Sequence, residues 1–158
     1  MPLNDIRTKA KRRQFDCPRC GAEKEDVVHA FVWCSKVQAL WVYVRELIGR
    51  ITPNQFTPVL DAAYIVDSVF PSWPRRKCFA FLQILAVARM VVWTTRLAEY
   101  YEGTHITDQD LIRYFKHQLK VKIRCDQDRL PRRVFYDRWT VLASLVVWEG
   151  SRSRIHLP

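Results

Sequence analysis

Four residues near the start of the chain have the types and spacings that hold a metal: Cys17, Cys20, His29 and Cys34, in the stretch CPRCGAEKEDVVHAFVWC. They read C-x₂-C-x₈-H-x₄-C. Thiolate and imidazole are zinc ligands, and structural sites close a tetrahedron from a C-x₂₋₄-C pair followed by a second pair. The first pair needs a tight turn that aims two sulfurs at one point, and Gly21 relaxes the backbone just after the second sulfur. His29 and Cys34 stand five positions apart, one helical turn plus a residue, so a turn entering a helix would present both. The plain alternative is a set of buried thiols and an unrelated histidine. If a metal binds, its expected role is structural. Catalytic zinc keeps an open position for water, whereas three cysteines and a histidine fill the shell and make the metal a poor Lewis acid. One structural Zn2+ is therefore the expected cofactor. Such ions couple to folding, so the metal-free chain is expected to lose order over roughly its first 40 residues.

Positioning these ligands falls to the helices that follow. From Cys34 to Arg50 the apolar residues Val37, Leu40, Trp41, Val44, Leu47 and Ile48 recur at three and four, the pattern of an amphipathic helix. Gly49 and Pro53 mark its end, and Cys34 at its start ties the metal site to a core element. Residues 51–74 contain four prolines and read as loops around a short helix at about 58–66. Pro74 suits the first position of a long helix ending near Glu102, before Gly103. At 1.5 Å per residue its length is about 40 Å, the longest element expected. Thr107 and Asp110 resemble an N-cap arrangement for a helix running through Leu111, Phe115, Leu119 and Ile123 to about Asp126. Pro131 breaks the chain, and a last helix over about 131–148 carries Val134, Phe135, Leu142, Leu145 and Trp148. The closing SRSRIHLP reads as unstructured, and the one place for a strand is a short ribbon around the first cysteine pair. The expected fold is mostly α: a small zinc-knuckle entry, then a helical bundle with one long central helix. Its divisions are a basic arm at 1–16, knuckle and first helix at 17–50, bundle at 51–148 and tail at 149–158.

Composition sets the class. The 158 residues are 49% apolar and 13% aromatic, enough for a globular core. Lys and Arg outnumber Asp and Glu by 26 to 16, a net charge of +10. That excess favours a polyanion as partner, with nucleic acid ahead of an anionic membrane surface. Five cysteines, three of them in one cluster with a histidine, do not form a two-bridge framework, and no secretory signal opens the chain. A reducing intracellular compartment, nucleus or cytoplasm, is expected. The most apolar run, CFAFLQILAVARMVVW from Cys78 to Trp93, includes Gln83 and Arg89; it reads as a buried core helix and no membrane span is expected.

With these motifs in view, the chain resembles the zinc-binding region that follows the reverse transcriptase of LINE-type (non-LTR) retrotransposons. The residues that carry the likeness are CPRCG, then Glu25, His29, Phe31, Cys34 and Trp41. The family pattern is C-P-x-C-G, then Glu-Ser/Thr-x-x-His, a Cys a few residues on, and a Trp in the helix beyond. ARMVVWTTR at 88–96 and RYFKHQLKVKIRCDQDRL followed by FYDRW are similar to the same tails, so the likeness covers residues 15–148. Asp26 departs from it by standing where the family has Ser or Thr, which is expected to weaken a side-chain cap beside the knuckle. The resemblance implies that Cys17, Cys20, His29 and Cys34 are the zinc ligands. It also implies a part in gripping element RNA or target DNA during target-primed reverse transcription, with a reverse-transcriptase core as a partner. The chain has no Tyr-x-Asp-Asp motif and no room for palm, fingers or endonuclease. The expectation is a severed tail, a truncated product or a host protein grown from such a tail.

For nucleic acid the candidate contacts are Arg12 and Arg13 in the arm, the triplet Arg75, Arg76 and Lys77, and Arg113, Lys116 and Lys120. The last three recur at three and four, so they share a helix face and can track phosphates. The triplet sits at a helix N-terminus, where cations are unfavourable and an arriving phosphate would relieve the repulsion. Each cluster has a bland counterpart: a frayed terminus, or a solvated charged face. Trp33 beside Cys34 either stacks on a base or packs under the zinc loop. No enzymatic chemistry is expected. The acidic pairs Glu23/Glu25/Asp26, Asp108/Asp110 and Asp126/Asp128 suit helix starts and a helix-ending loop better than a two-metal nuclease. His105, His117 and His156 have no partner at ligand spacing, Cys78 reads as a core thiol, and Cys125 is a lone thiol. Binding is expected to be largely independent of sequence. The competing reading is a helical interaction or scaffold domain with a purely structural zinc, its spare apolar faces covered by a partner.

Overall fold

The computed structural model describes residues 16–22, 25–51, 60–67, 75–139, 146–149, 152–155 and 157, with the side chains of 51, 75–78, 146–149, 152 and 153 outside that description. The arm, with Arg12 and Arg13, lies outside the described residues. A π turn at His29–Trp33 and a 3-10 turn at Ser35–Val37 lead into α1, Gln38–Ile51. A second π turn spans Ala63–Asp67, where a short helix at about 58–66 was expected. Then come α2 (Arg75–Glu102), α3 (Asp108–Arg129) and α4 (Arg132–Trp139), followed by β1 (Val146–Glu149) and β2 (Arg152–Ile155). The fold is mostly α, with a cysteine-rich entry and α2 as the long central helix.

The stripe expected on α1 faces inward: Val37, Leu40, Trp41, Val44, Leu47 and Ile48 are all buried. Each such side chain contributes about 1.5–3 kcal/mol on burial. Helix α2 packs against α1, α3, α4 and the π turn at His29–Trp33. Phe81, Ile84, Leu85, Ala88, Val91 and Val92 form its buried side. The opposite side is more open than an all-round core helix, with Met90 and Tyr101 exposed and Ala86 and Leu97 half-buried. By length and composition the segment Phe79–Glu102 could cross a membrane, and 56% of its most apolar window is buried inside this fold. Gly103 ends the helix at φ +65°, the left-handed conformation that glycine adopts without strain.

Thr107 caps α3 as expected, its hydroxyl oxygen accepting the N–H of Asp110 at 3.2 Å. Leu111, Phe115, Leu119 and Ile123 are buried along one face, and Phe115 meets Tyr43 of α1 edge-on at 5.9 Å. The helix runs past Asp126 to Arg129, so Asp126 does not belong to a loop. Its carboxylate is buried, accepting Lys122 Nζ at 2.7 Å and Trp139 Nε1 at 3.1 Å. That last bond ties α3 to α4.

Two expectations for the C-terminal part are corrected. Helix α4 is described over Arg132–Trp139, and residues within both the expected helix to about 148 and the expected unstructured tail form an antiparallel ribbon. Val146 pairs with Ile155 and Glu149 with Arg152. Ile155 and Leu157 pack against the core. The residues joining the strands are Gly150 and Ser151. A two-residue connection with glycine first is a hairpin signal, and it outweighs the three-residue spacing of Leu142, Leu145 and Trp148.

Candidate metal centre

The first ligand pair sits on a loop closed in both directions. Cys17 N–H donates to Ala22 O at 2.7 Å and Gly21 N–H to Cys17 O at 2.8 Å. Gly21 takes φ +74°, and nothing lies within 4 Å of where its Cβ would be, so the demand on glycine is conformational, not steric.

The second pair is brought together by the π turn. Asp26 opens it: its carbonyl accepts Ala30 N–H at 2.9 Å and its carboxylate Oδ1 accepts His29 N–H at 2.6 Å. The aspartate is thus a full side-chain cap, which corrects the expectation that its departure from Ser or Thr weakens the capping. Cys34 N–H then donates to His29 O at 2.8 Å, a five-residue closure. An ordinary α-helix would rotate residues five apart by about 140°. The wider turn stacks Cys34 over His29, the type of local widening found at functional sites. Three hydrogen bonds clamp its exit: Trp41 Nε1 to Phe31 O at 2.6 Å, and Gln38 Nε2 to Val32 O at 2.6 Å and to Cys34 O at 3.2 Å.

The four ligand atoms converge within 4.8 Å of one another, so the cluster could hold a metal ion. Cys17 Sγ lies 3.8 Å from Cys34 Sγ, and Cys20 Sγ lies 3.3 Å from His29 Nε2. The sulfurs are free thiols. Cys17 and Cys34 are buried, while Cys20 and His29 are partly open. The hydrogen bond between the buried sulfurs, reinforced by desolvation, pushes the Cys17 thiol far up. The same bond draws Cys34 down. The two sulfurs thus meet in a place that a cation could take.

Behind the ligands lies a layer of buried charge that sequence reasoning did not find. Glu25 Oε1 is 3.6 Å from Cys17 Sγ and accepts Arg96 Nε at 2.8 Å, while Arg96 Nη2 pairs with Glu25 Oε2. That carboxylate is what holds the Arg96 guanidinium charged despite its burial. Arg19, between the two loop cysteines, points its Nε to within 2.5 Å of Glu99 Oε2 and donates through Nη2 to Thr95 at 3.4 Å. The Arg19–Glu99 contact is close but poorly angled, leaving Arg19 Nε, Arg19 Nη1 and Glu99 Oε2 without a hydrogen-bond partner. Phe31 stacks on Trp93 at 6.3 Å and Arg96 lies over the same ring at 5.6 Å. The knuckle is thus pinned to α2 by two ion pairs and an aromatic contact. A sequence hint existed: Arg96 follows an apolar run by three residues, a place where a solvated cation is out of keeping.

The basic candidates are not gathered at this centre. Arg75, Arg76 and Lys77 occupy the first turn of α2, with side chains outside the described residues. Arg113 is exposed and pairs with Asp110 at 3.0 Å. Lys116 is half-buried, its Nζ 4.9 Å from the Tyr43 ring centre, and Lys120 is half-buried beside it. Arg124, part of the same basic stretch in the sequence, is exposed on the same face. Trp33 is 65% exposed, so it does not pack under the zinc loop. His105 and His117 are exposed, and among the described residues no other group of three or more His, Cys, Asp or Glu is placed to hold a metal. No protein family, curated protein or solved structure matches this chain.

Proposed function

We propose that the protein is a zinc-stabilised helical module that grips RNA or DNA through phosphate contacts and is not itself catalytic. Zinc is favoured by the donor set, three sulfurs and one imidazole, and by its size. Zinc–sulfur bonds of about 2.3 Å at tetrahedral angles place two sulfurs about 3.8 Å apart, which matches Cys17 and Cys34. Bound there, the ion would cross-link the entry loop to the π turn and to Cys34 at its exit.

The observation that carries the binding reading is the outward face of α3. Arg113, Lys116, Lys120 and Arg124 follow one another at three and four residues, and no carboxylate occurs between 111 and 125. Leu111, Phe115, Leu119 and Ile123 are buried on another face, while Arg113 and Arg124 are exposed and Lys116 and Lys120 are half-buried at its flank. Their backbone span is about 16 Å at 1.5 Å per residue. The Arg113–Asp110 pair is exposed and too weak to hold the guanidinium from a phosphate. Arg19 and Arg96, by contrast, are buried in ion pairs and cannot serve. The resemblance to a retroelement reverse-transcriptase tail belongs to the same proposal, with element RNA or target DNA as the polyanion.

The test is a titration of labelled single-stranded RNA and duplex DNA across salt concentrations. Four phosphate contacts predict a log–log slope of about −3 on single strands and about −4 on duplex. A flat dependence, or no binding at low salt, rejects the reading. The exposed Met90, Val42 and Tyr101 favour the second reading, a scaffold surface for another protein. Concentration-dependent self-association without nucleic-acid affinity would point there.

A further inference from the structure

The two ion pairs behind the metal centre are more deeply buried than a docking contact requires. The Arg96 and Glu25 side chains are 5% and 3% exposed, and those of Arg19 and Glu99 are 1% and 9%. Glu25 is the odd member. Its Oε1 lies 3.6 Å from Cys17 Sγ, where a thiol can donate to it. A metal-bound thiolate has no proton to give, so loading leaves two negative atoms face to face, away from water. Such a carboxylate needs a compensating cation. Arg96 provides it by gripping both carboxylate oxygens. A dication with three thiolates carries one negative charge; Glu25 and Glu99 add two, and Arg19 and Arg96 cancel those two. Without the guanidiniums the buried assembly would hold three uncompensated negative charges.

We propose that Arg96 is a positioning residue of the metal centre, acting through Glu25 as counter-ion to the thiolate cluster, and that Glu25 itself weakens metal binding. The proposal rests on the metal reading above. Its consequence is an asymmetry: the two halves of one ion pair move metal affinity in opposite directions. A contact that merely docked the knuckle on α2 would behave otherwise, since loss of either half strands the other charge and costs affinity with the same sign.

The full chain is compared as wild type, E25Q, R96M and R96K. Co2+ titration, read by the thiolate-to-cobalt absorption, and Zn2+ competition against a chelator give the affinities; helicity and melting are followed on loaded and stripped protein. Glutamine keeps an acceptor for Arg96 and removes the negative charge beside the sulfur. The expected result is several-fold tighter binding for E25Q, binding about 10–100-fold weaker for R96M, and partial recovery in R96K. Unchanged or weaker binding by E25Q overturns the proposal, and this arm decides even if R96M fails to fold. A wild type that takes up neither ion removes the metal reading and the proposal with it. A wild type that binds while both variants weaken removes the proposal alone.

Discussion

At the scale of single residues, the centre depends on small backbone devices as much as on its ligands. Asp26 fixes the N–H of His29 and so the start of the π turn that stacks His29 and Cys34. Replacing it by alanine should cost about 1 kcal/mol, seen as a lower denaturation midpoint of the loaded protein. Because the same cap orients a ligand, metal affinity should fall about five-fold in a chelator competition, while asparagine should retain most of it. The clustering of Cys17, Cys20, His29 and Cys34 was legible because cysteine and histidine at those spacings have few other uses. Glu25 was visible in a family pattern and in a local acidic cluster, but its partner Arg96 lies 71 positions away. No local periodicity reports a contact of that range. Asp26 was misjudged for a different reason: the pattern named the usual residue types, whereas a cap requires only a short side chain with an acceptor oxygen.

Among the elements, the bonds between helices set what each one contributes. Asp126 receives both Lys122 and the indole N–H of Trp139, so D126A would leave a buried donor unpaired. A loss of about 1–3 kcal/mol is expected in chemical denaturation, with a smaller loss in D126N, which keeps one acceptor. Tyr43, between α1 and α3, is pushed up to about 12 by burial. Its folded pKa lies above the unfolded value of about 10, so its stabilising effect is complete below that value and disappears as pH rises through 12. The variant Y43F should therefore flatten the alkaline fall in melting temperature between those limits. Helices α1, α2 and α3 were readable because each carries an unbroken stripe and a recognisable start or stop. The ribbon was not, since Leu142, Leu145 and Trp148 also fit a helix, and only Gly150 and Ser151 distinguish the alternatives. Asp126 looked like loop chemistry because a helix was expected to end there; tertiary bonding to Trp139 keeps it inside one.

For the molecule as a whole, charge is divided between two uses. Arg19 and Arg96 are buried in ion pairs that join the cysteine-rich entry to α2, while on α3 Arg113 and Arg124 are exposed and Lys116 and Lys120 are half-buried. On the binding reading, K120E/R124E should reduce affinity for every sequence alike and shrink the salt slope by about two phosphate contacts. Metal content and helicity should be unaffected, because neither residue belongs to the cysteine–histidine cluster or to the buried stripe of α3. Equal binding by the double variant would move the contact elsewhere. The four clustered side chains join the entry loop to the π turn and to its exit at Cys34, so on the metal reading one ion should govern the order of that region. Native mass spectrometry of the purified chain, before and after a chelator and with helicity followed in parallel, tests this directly. The account predicts one zinc per chain, lost together with the order of the entry region. Folded protein that carries no metal, or that keeps its full structure after stripping, would contradict it.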